Sequence, residues 1–290
     1  MSKKISDLTI ATSLKATDHV LAETETGTKI APVAAFIRDD YDGVDLAEVF
    51  AEEIAEFDNI WAWIQDRCRR RDYTGLHVKD YITWTLSGHT IVSQIAGIEP
   101  YRNATDQALA GHIDFISKDL WHEKTVFNTS NVNQGNADNP NPYMVSALKS
   151  YLDNLATQLP TELSNVILNK RSLMESRYTA GQTLQSSTSC AWQDLGKLWV
   201  PHETEVFGPT RWSGRYAGGN GVKYPIFDDG RAIVKGLGHN GTRTSWWECD
   251  VQDASATSAC TVNAYGSAYA ITASYTGIGA PVCFRIGFKA

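Results

Sequence analysis

The chain has 290 residues, with 26 Lys+Arg against 33 Asp+Glu and a formal net charge of −7. At 42% hydrophobic and 20% charged it is neither disordered nor fibrous, and it has the length for one large domain or two ordinary ones. No apolar run approaches the roughly 18–20 residues of a membrane helix, and no apolar signal segment follows Met1, so synthesis in a cytosol without membrane insertion is expected.

The charge is unevenly placed. Residues 1–60 hold 13 acidic and 5 basic side chains, and the remainder holds 20 and 21. A nearly neutral body sets up no long-range field for nucleic acid, so no nucleic-acid partner is expected. The cluster Arg67, Arg69, Arg70 and Arg71 reads as cations at a helix C-terminus, facing its macrodipole.

Residues 1–43 read as an extended docking or attachment segment. Within it, Val20-Leu21-Ala22 and Lys29-Ile30-Ala31 flank Glu25-Thr26-Gly27-Thr28, which suits a short hairpin turning at Gly27. Residues 44–72 read as an amphipathic helix. Ala47, Phe50, Ile54, Phe57, Trp61 and Ile64 recur at alternating spacings of three and four, a heptad seam, and Asp42 or Asp45 can cap its start. Two readings of the seam stand side by side: an oligomer interface, with a homotrimer expected, or a helix packed on its own domain. If acidic helices do associate, salt should strengthen the association.

Residues 73–290 read as strands, turns and long loops. Tyr81–Leu86, Ser87-Gly88-His89 and Thr90–Ile98 form a strand, turn, strand unit, and His112–Ser117 is a further strand. Residues 128–142, rich in Asn, Gly and Pro, read as a loop, and Ser146–Leu155 and Thr161–Asn169 as two helices. Val262–Ala273 and Val282–Phe288 are the terminal strands. The class expected is α+β, with small antiparallel sheets and two helices.

Motifs for chemistry are sparse. The chain lacks GxSxG, GxxxxGK[ST], CxxC and HExxH, and no cofactor, metal or catalytic residue is assigned. The five cysteines are odd in number and irregular in spacing, which argues against a disulfide framework. Cys249, Cys260 and Cys283 read as small buried hydrophobes, and Cys190 as a buried thiol rather than a nucleophile. Glu203 and Glu205 flank Thr204 in a polar stretch and are the acids a glycosidase reading would use. Asp228-Asp229-Gly230 reads as a polar turn. Glu248, Asp250 and Asp253 match no calcium-loop spacing and read as a solvated loop. Trp246-Trp247 reads as core. Recognition is placed in the Tyr-, Asn- and Ser-rich C-terminal loops, at Tyr216, Asn220, Asn263, Tyr265, Tyr269 and Tyr275, because that palette gives adaptable contact at low entropic cost.

Several phrases, in order, resemble a family. They are Val78-Lys79-Asp80-Tyr81-Ile82; Gln94–Ile98; His112–Ile116; Asn141-Pro142-Tyr143 with Ser146–Leu152; Leu198-Trp199-Val200-Pro201 with Glu205-Val206-Phe207-Gly208; Tyr224–Phe227; Ser245-Trp246-Trp247; and Ala280–Ile286. Together they resemble the uncharacterised domain of phage structural and bacterial surface proteins, whose C-type-lectin-like core is similar to the formylglycine-generating fold. Members often continue the Trp-Trp strand with Leu-Arg-Ser, where this chain has Glu248-Cys249-Asp250. The calcium motif Trp-Asn-Asp of C-type lectins and the formylglycine-type cysteine pair are both missing, so the resemblance implies fold and not activity. The leader, with Ile5-Ser6-Asp7-Leu8, Ser13-Leu14, Asp18–Leu21 and Gly27–Ile30, is similar to the start of phage fibre and appendage proteins. The resemblance implies a non-enzymatic virion protein, a fibre, spike or decoration subunit. It would dock on capsid or tail proteins through its N-terminus and present a lectin-like body to a host-surface glycan or protein. The alternatives are a purely structural capsid or tail component and a glycan-cleaving enzyme.

Overall fold

The computed structural model describes residues 19–24, 27–32, 41–181, 187, 189–218 and 221–289. The expected N-terminal hairpin is present: β1 (His19–Thr24) pairs antiparallel with β2 (Gly27–Pro32), Thr24 opposite Gly27. The remaining leader positions, and Asn220, lie outside the described residues.

The seam does not form one helix. Asp45 caps a four-residue α1 (Leu46–Val49) by accepting from the Ala47 N–H at 2.9 Å, and α2 (Ala51–Ile54) follows after Phe50. Asn59 then starts α3 (Ile60–Arg70), its side chain accepting from the Trp61 and Ala62 N–H groups at 3.0 Å each. Arg67, Arg69 and Arg70 fill the last turn of α3, as their spacing suggested. Phe50, Trp61 and Ile64 are buried in the chain's own core, Ile54 and Phe57 pack against that core, and Ala47 is exposed. Five of these six side chains thus pack within the same chain, as in the second of the two readings of the seam. Residues 44–72 are part of the body they were expected to precede.

What α3 covers is a sheet of eight strands. In chain order these are β3 (Tyr81–Leu86), β4 (His89–Ile98), the 17-residue β5 (Leu109–Thr125), β6 (Ile167–Leu168), β9 (Trp246–Val251), β10 (Ser258–Val262), β11 (Ala268–Thr272) and β12 (Ile278–Lys289). The main path runs β11-β10-β9-β12-β5-β4-β3, with β6 beside β12. All pairings are antiparallel except β12 with β9. β3 and β4 meet through Ser87 (φ 48°) and Gly88 (φ 82°), the two left-handed residues of a type I′ hairpin. Pro281 sits in central β12 between two register shifts, where no ladder donor is required of it. β7 (Arg171–Ser176) and β8 (Ser189–Asp194) make a separate ribbon. Helices α4 (Ala147–Ala156), α5 (Thr161–Val166) and α6 (Glu203–Phe207) complete six among the described residues.

One large sheet therefore stands beside the small antiparallel sheets expected, within a mixed α and β architecture. β5 extends well beyond His112–Ser117, the second predicted helix stops at Val166, and Val262–Ala273 is a turn followed by β11. The strand unit at 81–98, the loop at 128–142 and α4 with its Ser146 cap match the reading.

The two faces of β12 and β5 differ in chemistry. On one, Phe284 stacks on Phe115 with centroids 5.2 Å apart, and Trp61 and Trp84 each meet Phe284 edge-on at 6.0 Å. This apolar layer binds α3 to the sheet, aided by a Cys68 Sγ–H donated to the Ile286 carbonyl at 3.6 Å. On the other face, Arg285 grips Asp114 directly across the ladder, at 2.6 and 2.8 Å. There a buried polar layer begins.

Candidate functional site

At the far edge of the sheet, β10 and β11 carry a cleft of about 270 Å³ whose lining includes Asn263, Tyr265, Tyr269, Tyr275 and Ser245. The ladder places Tyr269 opposite Thr261, so both project from the face that forms the cleft. The turn between the strands is built by Asn263, whose side-chain oxygen accepts from the Tyr265 and Ser267 N–H groups at 2.9 and 3.1 Å. Gly266 supplies the left-handed φ of 86° that closes it. Tyr275 lies over Gly277, where an added Cβ would stand 2.5 Å from the ring. Tyr265 is 84% exposed, Tyr269 and Tyr275 are each 48%, and neighbouring Trp212 is 41%. Four of the large apolar side chains exposed among the described residues thus lie close together here.

Four of the six binding residues expected from sequence, Asn263, Tyr265, Tyr269 and Tyr275, thus share one cleft. Tyr216 does not line it. That side chain is half-buried, and its hydroxyl accepts from Arg215 at 3.0 Å. Trp212 was missed by the sequence reading, because it is 57 residues from Tyr269 in the chain. Its ring meets Tyr269 edge-on at 6.3 Å, and its indole N–H donates to the Ala268 carbonyl at 3.2 Å.

Trp212 is held from below. Glu203, the first residue of α6, is fully buried and accepts the N–H groups of Arg211, Trp212 and Ser213 at 2.8, 2.8 and 2.9 Å, together with the Ser213 hydroxyl. Glu205, one residue beyond Thr204, is equally buried. It pairs with the Lys170 ammonium and the Tyr101 hydroxyl, and accepts the His202 N–H at 2.8 Å. Both acids are committed to these partners in the interior of the protein. Lys170 also lies over the rings of Tyr101, Trp199 and Tyr224, at 4.8, 5.0 and 5.4 Å. Tyr224 in turn donates to Asp114 at 2.8 Å, which closes the layer onto Arg285. Burial alone would push the Asp114 carboxyl up; Arg285 more than offsets it and holds the group below the usual range.

The same layer contains an ordered Ser-His-Asp arrangement. His202 Nε2 is 2.9 Å from Ser172 Oγ, and Nδ1 is 2.9 Å from Asp250 Oδ1. Its residue types match a hydrolase triad, but its setting does not. All three residues are buried, and Asp250 is further used by the Glu203 N–H at 2.7 Å. Gly218 closes over the imidazole edge so tightly that an added Cβ would stand 2.4 Å from its Cε1 carbon. The arrangement fastens β7, α6 and β9 together.

Three further expectations need correction. Glu248 and Asp250 are buried on β9 rather than in a solvated loop, because that strand has protein on both sides. Cys190 is exposed, lying on the β8 ribbon away from the main sheet. Asp229 is not a free turn residue. It pairs with Lys79 at 2.6 Å and Arg231 at 3.0 Å, lining a second, charged cleft whose cations and anions neutralise one another. Cys249, Cys260 and Cys283 are buried and unbridged, and Trp246 and Trp247 are core, as expected. Burial first, and the Glu203 and Asp250 carboxylates second, push the Glu248 carboxyl well up from its ordinary value.

Comparison with protein-family models, curated proteins and solved structures finds no match to this chain.

Proposed function

We propose that this protein is a non-enzymatic recognition subunit of a bacteriophage particle, with a lectin-like body whose β10–β11 cleft binds a carbohydrate of the host surface. The observation that carries this reading is the cleft. Three exposed tyrosines line a concavity with amide and hydroxyl groups at Asn263 and Ser245, and Trp212 meets Tyr269 edge-on beside it. Aromatic faces cover the C–H faces of a sugar ring, and short polar groups meet its hydroxyls. The phage assignment rests on the family-like phrases of the body and the appendage-like leader, and so does the lectin-like description.

An array of bacterial capsular and O-antigen oligosaccharides, probed with the intact chain, tests it. Binding is expected, and should be lost in a Tyr265→Ser, Tyr269→Ser, Tyr275→Ser triple variant that keeps its melting temperature. Equal binding by the variant would remove the cleft from the account. Absence of binding, with antibody labelling of the protein on the encoding virus, would favour the purely structural role.

A further inference from the structure

Beneath the loop that presents Trp212, Glu203, Glu248 and Cys260 converge from α6, β9 and β10. One ligand atom from each lies within 4.8 Å of the other two, and all three residues are shut off from solvent. Each has a distinct bonding state. Glu203 is fixed by the backbone donors of residues 211–213. Cys260 has no disulfide partner. Glu248 is the anomaly, since neither of its carboxyl oxygens has a hydrogen-bond partner among the described residues.

A buried carboxyl group with both oxygens unmet costs several kcal/mol, and an acid placed opposite a second acid costs more. Such a pair is relieved by a shared proton or by a cation. The oxygens of both acids and the Cys260 sulfur stand at distances that one cation can bridge. Around one zinc ion, with bonds of about 2.1 Å to oxygen and about 2.3 Å to sulfur, ligand atoms stand roughly 3.3–3.8 Å apart, inside the observed limit. One thiolate with two carboxylates suits a borderline-soft ion rather than calcium or magnesium, which take oxygen alone.

We propose that Glu203, Glu248 and Cys260 bind one zinc ion, which ties α6 to β9 and β10 and steadies the loop carrying Trp212. Binding is an acid–base step: the Cys260 thiol and the Glu248 carboxyl lose their protons to solvent as the Zn–S and Zn–O bonds form, with no change of oxidation state. Three protein ligands leave one position of a tetrahedral ion open. The proposal is independent of what the aromatic cleft recognises.

The test uses the intact chain. Zinc is measured by mass spectrometry of the metal in gel-filtered protein, and chelator-stripped protein is titrated with Zn²⁺ and with Co²⁺ as a spectroscopic probe. Expected are one zinc per chain, a cobalt–thiolate charge-transfer band, and a melting temperature that rises with zinc. Cys260→Ser should remove the band, and Glu248→Gln should weaken zinc binding by more than the roughly 10–100-fold that loss of an outer-sphere partner costs. Zinc that persists equally in both variants would place the ion elsewhere and overturn the proposal. Wild-type protein that binds neither metal would overturn it too. Glu248→Gln then raising the melting temperature would identify a proton as what neutralises the acid pair.

Discussion

The polar layer around Lys170 and the tyrosine cleft at β10–β11 use the same residue types to opposite ends. Tyr101 and Tyr224 are buried, and both hydroxyls meet carboxylates. Tyr265, Tyr269 and Tyr275 keep their rings in water. In the first region polar groups are satisfied by one another and specify how loops seat on the sheet. In the second, unsatisfied apolar area is left available on a rigid hairpin. Substitutions in the first region should act on stability, and those in the second on binding.

The largest effect is expected at Lys170. Lys170→Met leaves the Glu205 carboxylate buried without its cation, and should lower unfolding free energy by about 3–5 kcal/mol, read from denaturant midpoints at constant m. A loss under 1 kcal/mol would show that the layer does not hold the loops.

Glu175 gives the next largest, and its sign depends on pH. Burial first, and the Asp250 carboxylate second, raise its carboxyl from 4.5 to about 7. The folded state therefore holds a proton that the unfolded state releases between these values. Stability from this group is full below pH 4.5 and is lost as pH rises through 7, by at most about 3 kcal/mol. Glu175→Gln should stabilise the protein at pH 8 and have little effect at pH 4.5. An equal effect at both values would contradict the assignment.

Trp212 joins the two regions. Trp212→Ala should cost about 1 kcal/mol of stability, the order of one aromatic pair, while lowering affinity for a cleft ligand about tenfold. Tyr265→Ser is the smallest case for stability, within about 0.5 kcal/mol, because the ring touches water on most of its surface. A large stability loss there would erase the contrast between the regions.

What could be read from sequence was what is local. The β3–β4 hairpin shows in the interruption of alternating residues by Ser87-Gly88, and α4 in its Ser146 cap and apolar stripe. The cleft was legible because Asn263, Tyr265, Tyr269 and Tyr275 lie on one hairpin and the turn after it. The polar layer was hidden because its partners are distant in the chain: Lys170 and Glu205 are 35 residues apart, and Asp114 and Arg285 are 171 apart. Periodicity at 47–64 identified a buried stripe but not what buries it. The spacing suits a partner helix and the β5–β12 sheet equally, and the apolar face of Phe115 and Phe284 took it. β5 outran its predicted end because Asp119, Glu123 and Lys124 break the apolar alternation while the backbone ladder to β12 continues.

The central claim is that the β10–β11 cleft is the recognition surface and the polar layer its support. Calorimetric titration of an array-selected oligosaccharide into the intact chain, its Tyr269→Ala variant and its Lys170→Met variant tests it most directly, at a temperature where all three are folded. The account requires Tyr269→Ala to weaken binding at least tenfold while costing no more than about 1 kcal/mol of stability, the order of its one aromatic pair, and Lys170→Met to bind normally while melting much lower. The reverse pattern, with affinity lost at Lys170 and kept at Tyr269, would contradict it.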